Sequence, residues 1–427
     1  MNRDPFSAVR RHGLSRGALA LALFCAASAG MAQDELPSLT VRGLIDGRIV
    51  LPDNTLSWEN GGLGKTRYGG EPDAIARLAE ASLILQPKLT WDLSGFVHLS
   101  TNTQQKHAVD IVEAFLSYRP VPTSPFGVRA KAGAFFPPIS LENTGLAWTS
   151  PYTISSSAIN SWIGEELRST GGEVTAFHQG EDVTVSLTGS GFYFNDPAGT
   201  LLAWRGWAIH DRKSGVLERL ARPSVRIVRP GARLQRQAPY NEPFHELDDR
   251  MAYYMAGRVE HADWGELRAL YYNNPGDDRA LTNGQWPWNP EFVALGGKTL
   301  LPGDVDLIAQ FMQGNTTVVT VPGAASPVVH LAYMSGFVLA SHEWDRHRLS
   351  LRLEYFETDD KDLLFPDNNN EWGNAVTAAY VFRPAENQRL TFEVLRVHST
   401  RPERTLSFGL PRSVTETEIQ ASYRFFF

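Results

Sequence analysis

Sixteen stretches of the chain alternate apolar with polar residues, and the connections between them are sorted by length almost from one end to the other. The stretches are 39–50, 76–85, 88–100, 109–118, 126–136, 168–178, 182–193, 251–261, 264–273, 292–300, 303–313, 329–343, 346–356, 374–383, 388–399 and 414–427. Counting back from residue 427, long connections (400–413, 357–373, 314–328, 274–291, 194–250, 137–167) alternate with short ones (383–387, 344–346, 301–303, 261–264, 179–181, 119–125), and 86–88 is again short. Only 101–108, a moderate connection on the long side, departs from this. A soluble sandwich has no reason to sort its loops by side. A membrane barrel does, with short turns at one rim and long loops at the other. The pattern predicts an all-β fold, a transmembrane antiparallel β-barrel of about sixteen strands with short periplasmic turns and long extracellular loops.

The alternation also divides inside from outside. In the last strand Ile419, Ala421, Tyr423 and Phe425 share one face, while Glu418, Gln420, Ser422 and Arg424 share the other, which also receives Phe426. In 348–355, Leu349, Leu351, Leu353 and Tyr355 oppose Arg348, Ser350, Arg352 and Glu354. The clearest alternation, 88–99, sets Leu89, Trp91, Leu93 and Val97 against Lys88, Asp92, Phe96 and His98. The segment 388–399 loses phase midway, which is read as a bulge or a wrong boundary. No apolar run reaches 18 residues, so helical spans are excluded. Lumen-lining charges are then Arg129, Lys131, Arg268, Arg348, Arg352, Glu354 and Arg424. Charges of both signs cannot sit dry without cost, so their number predicts a water-filled interior. The alternative is a packed network of lumenal ion pairs that closes the barrel.

At the other end, Arg3, Arg10, Arg11 and Arg16 precede an apolar run from Gly17 to Ala29 that leaves through Gly30-Met31-Ala32. This predicts a secretory signal peptide, residues 1–32, cleaved before a barrel of residues 33–427. The leader holds four arginines and one aspartate, so its removal takes the net charge from −7 to −10, an acidic balance that argues against nucleic acid as a partner. Cys25, the single cysteine, lies in the leader, so no disulfide or thiol chemistry is expected in the mature chain.

The terminal Phe427 on an alternating strand resembles the C-terminal signal by which outer-membrane barrels are recognised for insertion, with Tyr423, Phe425 and Phe427 as its aromatic residues. Leader, strands, sorted loops and terminal Phe together resemble Gram-negative outer-membrane porins. The resemblance implies outer-membrane localisation with both termini periplasmic, insertion by the barrel-assembly machinery, contact with outer-membrane lipid and lipopolysaccharide, and a homotrimer. It also implies passive diffusion of small hydrophilic solutes. No motif names a solute.

Two of the long loops carry the candidate chemistry. Within 194–250 the run from 205 to 236 holds Arg205, Arg212, Lys213, Arg219, Arg222, Arg226, Arg229, Arg233 and Arg236 against Asp211 and Glu218, a local +7. Folded into the lumen, this run would form an anion-favouring constriction. Left outside, it would meet lipopolysaccharide phosphates or be plain solvated charge. Four of the arginines recur at three- and four-residue steps, although Pro223 and Pro230 oppose a long helix. In 137–167, Glu165 and Glu166 could face this cluster. The acidic loop from Glu357 to Glu371 has oxygen ligands suited to calcium but lacks the glycine of an EF-hand, so no metal and no cofactor is expected. No G-x-S-x-G, H-E-x-x-H or phosphate-binding glycine loop occurs, so no enzyme is expected. The remaining pairs, Asp248-Asp249 near His245 and His342-Glu343, keep a barrel enzyme as one alternative; a non-conducting surface-binding barrel is the other.

Overall fold

A computed structural model describes residues 36–71, 73–277, 279–318, 327–362 and 367–427; the expected leader lies outside them. In chain order the strands are β1 (Ser38–Leu51), β2 (Ile75–Lys88), β3 (Leu93–Thr101), β4 (Asp110–Tyr118), β5 (Phe126–Phe135), β6 (Ser169–Gln179), β7 (Val183–Tyr193), the short pair β8 (Leu220–Ala221) and β9 (Tyr240–Asn241), then β10 (Ala252–His261), β11 (Gly265–Asn273), β12 (Glu291–Leu301), β13 (Val305–Val318), β14 (Val329–Trp344), β15 (His347–Asp360), β16 (Glu371–Phe382), β17 (Gln388–Thr400) and β18 (Ser413–Phe426). Three helices, α1 (Ala158–Glu166), α2 (Thr200–Trp204) and α3 (Glu403–Phe408), lie in connections at the long-loop end. All strands but β8 and β9 form one closed barrel of sixteen, each antiparallel to both neighbours, and β1 pairs with β18 to complete the ring.

Every expected strand is present. The largest displacement is at 88–92, where β2 runs on to Lys88 and the turn is held by Leu89 and Thr90 N–H donating to the Leu93 carbonyl (2.9 and 3.0 Å). Leu89 and Trp91 therefore belong to the turn, not to β3. Neither a bulge nor a wrong boundary explains 388–399: β17 begins at Gln388 and keeps continuous register with both neighbours. Its phase looks lost because Leu395 and Val397 point inward, against other apolar side chains. Real register shifts occur at Asp46/Gly47 and His98/Leu99.

Period-two alternation puts Leu187, Leu267, Leu295, Val338, Leu353 and Ile419 on the outer surface, all exposed, on six different strands. An apolar belt of this extent is stable only against hydrocarbon. The last strand follows the same rule, with Ile419, Tyr423 and Phe425 outward and Glu418 and Arg424 buried inward. Phe426 faces inward with them. It packs beside Leu44, Ile84 and Ala147, and the Arg389 guanidinium lies 5.3 Å from its ring centre, so an apolar patch inside the short-turn rim receives it.

Phe427 extends the closing seam by one pair. Its N–H donates to the Gly43 carbonyl (3.0 Å) and its carbonyl accepts from Gly43 N–H (2.8 Å). A Cβ at position 43 would fall 2.3 Å from the Phe427 ring and 2.6 Å from the Ser82 carbonyl oxygen. We therefore expect Gly43→Val to lower the temperature at which the folded, faster-migrating band converts to the unfolded one on a heat-modifiability gel. An unchanged conversion temperature would mean that the seam does not depend on this contact.

Candidate functional site

A barrel of sixteen strands is wide enough for an aqueous channel, unless the chain itself fills it. Here three segments from the long-loop end, 52–71, 137–167 and 194–250, turn into the lumen. Backbone that leaves a sheet to enter an enclosed space must find partners for its N–H groups. Five glutamates on four consecutive strands supply them. Glu354 accepts from Ala158 N (2.9 Å), Glu371 from Trp207 N (3.0 Å), Glu393 from Ile154 and Ser155 N (2.6 and 3.1 Å), Glu416 from Lys65 N (2.8 Å) and Glu418 from Tyr68 N (3.0 Å). Arg352 adds the converse, donating to the Ser155 and Ser156 carbonyls (2.8 and 3.1 Å) while pairing with Glu142 and Glu354.

Pinned in this way, α1 is buried along its whole length. Its Ser157 cap accepts from Asn160 N, and Trp162 meets Phe292, Tyr333 and Trp207 edge-to-face at 5.4 to 6.1 Å. Trp58, Trp204 and Trp288 are likewise buried. The expectation of a water-filled interior is thus corrected for the long-loop half of the barrel, where apolar contacts and ion pairs replace water. The inward Leu331, Tyr333, Phe356, Leu395 and Val397 were the signal of a dry wall.

The basic run is distributed rather than gathered. Arg205 forms a fork to Glu165 (3.0 and 2.7 Å), Arg212 bridges Glu59 and Glu218 (3.1 Å each) and Lys213 meets Glu80 (2.7 Å), all buried. Arg222 is buried against the carbonyls of Ala238, Pro223 and Gln237. Arg219 pairs with Glu242 in the open, and Arg229 donates to the Ser224 and Ser407 carbonyls. Arg226, Arg233 and Arg236 are exposed on the plug's outer surface. Only a 3₁₀ turn, Arg226–Val228, forms here, so the four spaced arginines do not share a helical face.

Glu165 does face Arg205; Glu166 faces none of the arginines and accepts from Trp162 Nε1 (2.7 Å), Leu201 N (3.0 Å), Gly199 N (3.1 Å) and Asn241. Burial would raise Glu165, but Arg205 and then His210 hold it down at about 2. Burial dominates at Glu166 and pushes it up to about 7.

The short-turn half is different. A cleft of about 200 Å³ opens on the inner wall between β4 and β11, lined by Arg119, Arg129, Lys131, Glu173, Arg258 and Arg268 among smaller residues. Lys131 pairs with Glu173 (3.2 Å), Arg258 with Glu260 and Glu266 (2.7 and 2.6 Å), and Arg268 with Glu266 (2.9 Å). Among the described residues Arg119 and Arg129 have no carboxylate within ion-pairing distance. Of the other lumenal charges, Arg348 lies at the short-turn rim with Asp306 (3.3 Å) and Glu343, Arg424 meets Asp46 (2.7 Å), and Arg352 and Glu354 belong to the dry wall. His342 is exposed and Glu343 forms ion pairs with Arg348 and Arg383; as adjacent residues of one strand they point to opposite faces and cannot cooperate.

The insertion of 52–71 and the anchoring role of Glu371, Glu393 and Glu416 were not anticipated from the residue pattern. An inward glutamate on each of the last four strands was the available sign.

With these features the chain has the architecture of outer-membrane porins, a closed sixteen-stranded barrel. It is similar to the outer membrane channel DcaP of Acinetobacter baumannii (11% identity, TM-score 0.55, covering 93% of this chain and 100% of that one). It is also similar to OmpT, an outer membrane protein of Vibrio cholerae, in its loop L8 deletion mutant (8% identity, TM-score 0.53, 92% and 100% covered) and its in-vitro folded form (9%, 0.51, 93% and 100%). At such identities the likeness is one of fold. No family model and no curated protein matches the chain.

Because Glu165 is held near 2 against an ordinary 4.5, its contribution is present above pH 4.5 and is lost as the pH falls from there toward 2. Glu165→Gln strands Arg205 and should cost about 3–5 kcal/mol. Fluorescence of the buried tryptophans should therefore shift to the red in the wild type between pH 4.5 and 2, and in the variant already at neutral pH. A variant whose spectrum and denaturation midpoint match the wild type would contradict this role.

Proposed function

We propose that the protein is an outer-membrane channel for passive diffusion of small hydrophilic solutes, anions in preference to cations, with both termini in the periplasm and no catalytic role. The basic cleft in the short-turn half carries this reading. Its five cations exceed the carboxylates paired with them, and Arg119 and Arg129 are left free to meet a carboxylate or phosphate by forked hydrogen bonds. Field lines concentrate in such a groove between low-dielectric walls. The fold it shares with DcaP, an outer membrane channel, supports the same reading. Arg226, Arg233 and Arg236 at the opposite end suit lipopolysaccharide phosphates, and Tyr423, Phe425 and Phe427 suit recognition by the barrel-assembly machinery. A homotrimer completes the proposal.

A second reading rests on the dry half: the packed plug of α1, α2 and their flanking loops keeps the barrel closed until it is displaced. Planar-bilayer recording on refolded residues 33–427 tests both. We expect small conductance steps, a reversal potential in a KCl gradient that favours chloride, and a shift toward potassium when Arg129 and Arg258 are both changed to Ser. No step at any voltage would overturn the open-channel reading in favour of the plugged one. A potassium-favouring reversal potential in the wild type would overturn the anion preference.

A further inference from the structure

The loop between β15 and β16 brings Asp360, Asp362 and Asp367 together, with one carboxylate oxygen from each lying within 4.8 Å of the others. Two oxygens on opposite sides of one calcium ion, each at 2.3–2.6 Å, are separated by about this distance. Proximity of acids alone would mean little. A second feature is independent of it: three buried oxygens here have no hydrogen-bond donor among the described residues. They are Asp367 Oδ1, Asn369 Oδ1 and Glu403 Oε2, and the Asn369 and Glu403 side chains are fully buried. Asn369 Nδ2 donates to Asp367 Oδ2 at 2.6 Å, which fixes the amide, and hence its unpartnered Oδ1, beside the carboxylates. An orphaned buried acceptor costs free energy, and the Asn369 Oδ1 held beside the three carboxylates is one that a cation would satisfy.

The surrounding charge agrees. Among the described residues no lysine or arginine forms an ion pair with Asp360, Asp367 or Glu403; the only lysine in this stretch, Lys361, pairs with Asp359.

We propose that this loop binds one calcium ion through Asp360, Asp362, Asp367 and the Oδ1 of Asn369, with Glu403 of the adjoining loop beside them. An all-oxygen set of carboxylates and an amide suits calcium better than magnesium, which demands a tighter octahedral shell. The ion would also steady the plug's rim. Glu403 accepts from Ser407 Oγ, Ser407 Oγ accepts from Arg226 N (2.7 Å), and the Ser407 carbonyl accepts from Arg229 (2.6 Å). The site therefore lies two contacts from the basic segment.

Calorimetric titration of calcium chloride into the refolded barrel, in detergent free of lipopolysaccharide, tests this. The expected result is saturable one-to-one binding. Asp360→Asn with Asp367→Asn should weaken it at least tenfold, whereas Asp196→Asn with Asp248→Asn, in the other acidic cluster, should leave it unchanged. Asn369→Asp, which adds charge at an orphaned ligand, should tighten binding, and heat-modifiable migration verifies that each variant is folded. Absence of saturable binding, full affinity in the first double variant, or loss confined to the second would each overturn the proposal. Should the first double variant not fold, an Asn369→Asp affinity no higher than wild type would overturn it.

Discussion

The interior of this barrel depends on carboxylates that accept hydrogen bonds from backbone N–H groups. Glu354, Glu371, Glu393, Glu416 and Glu418 stand on one wall, β15 to β18, and each takes up an N–H of a segment that has left the sheet. Such charge-assisted bonds are roughly twice as strong as neutral ones and fix direction as well as distance. They also answer a problem of scale. Three inserted segments expose many donors to a space from which water is excluded, and an unmet donor there costs about 1–3 kcal/mol. Lys65 ties the segments to one another, pairing with Glu371 while donating to the Arg205 and Trp207 carbonyls (3.1 and 2.9 Å).

This anchoring is one-sided, and the lumen is asymmetric as a result. Against the glutamate wall and across the long-loop half, aromatic packing around Trp162 and Trp207 displaces water. Below it, between β4 and β11, the wall keeps its arginines in an open cleft. A cation that is buried and paired contributes to structure, as Arg205 and Arg352 do. On the function proposed above, a cation without a carboxylate partner, as Arg129 is among the described residues, serves instead to meet an anion, and burial separates the two uses of the same residue type.

The strands were legible because period two survives wherever one face meets lipid; even β15, with Leu349 to Tyr355 outward, could be read unaided. Inward positions were less legible. Leu395 and Val397 looked like a phase error because an inward face was taken to be wet, when the plug makes it apolar. Glu393 and Glu416 looked like solvated charges because nothing local reveals a backbone N–H arriving from more than two hundred residues away. The 205–236 run was visible as charge, yet its partners Glu59 and Glu165 lie in other loops and Glu80 on β2, and no spacing rule connects them. Short-range pattern sets the wall; the filling is set by contacts distant in sequence.

The division into a dry and a wet half is tested most directly by cysteine accessibility. The only native cysteine, Cys25, precedes residue 33, so a refolded barrel of residues 33–427 begins without thiols. Ser117→Cys places a thiol in the cleft, and Ser161→Cys places one inside α1. With small charged methanethiosulfonate reagents, the thiol at 117 should react readily, faster with the anionic reagent than with the cationic one, while the thiol at 161 stays unmodified until the protein is denatured. Equal reactivity at the two positions, or a faster reaction at 161, would contradict the account.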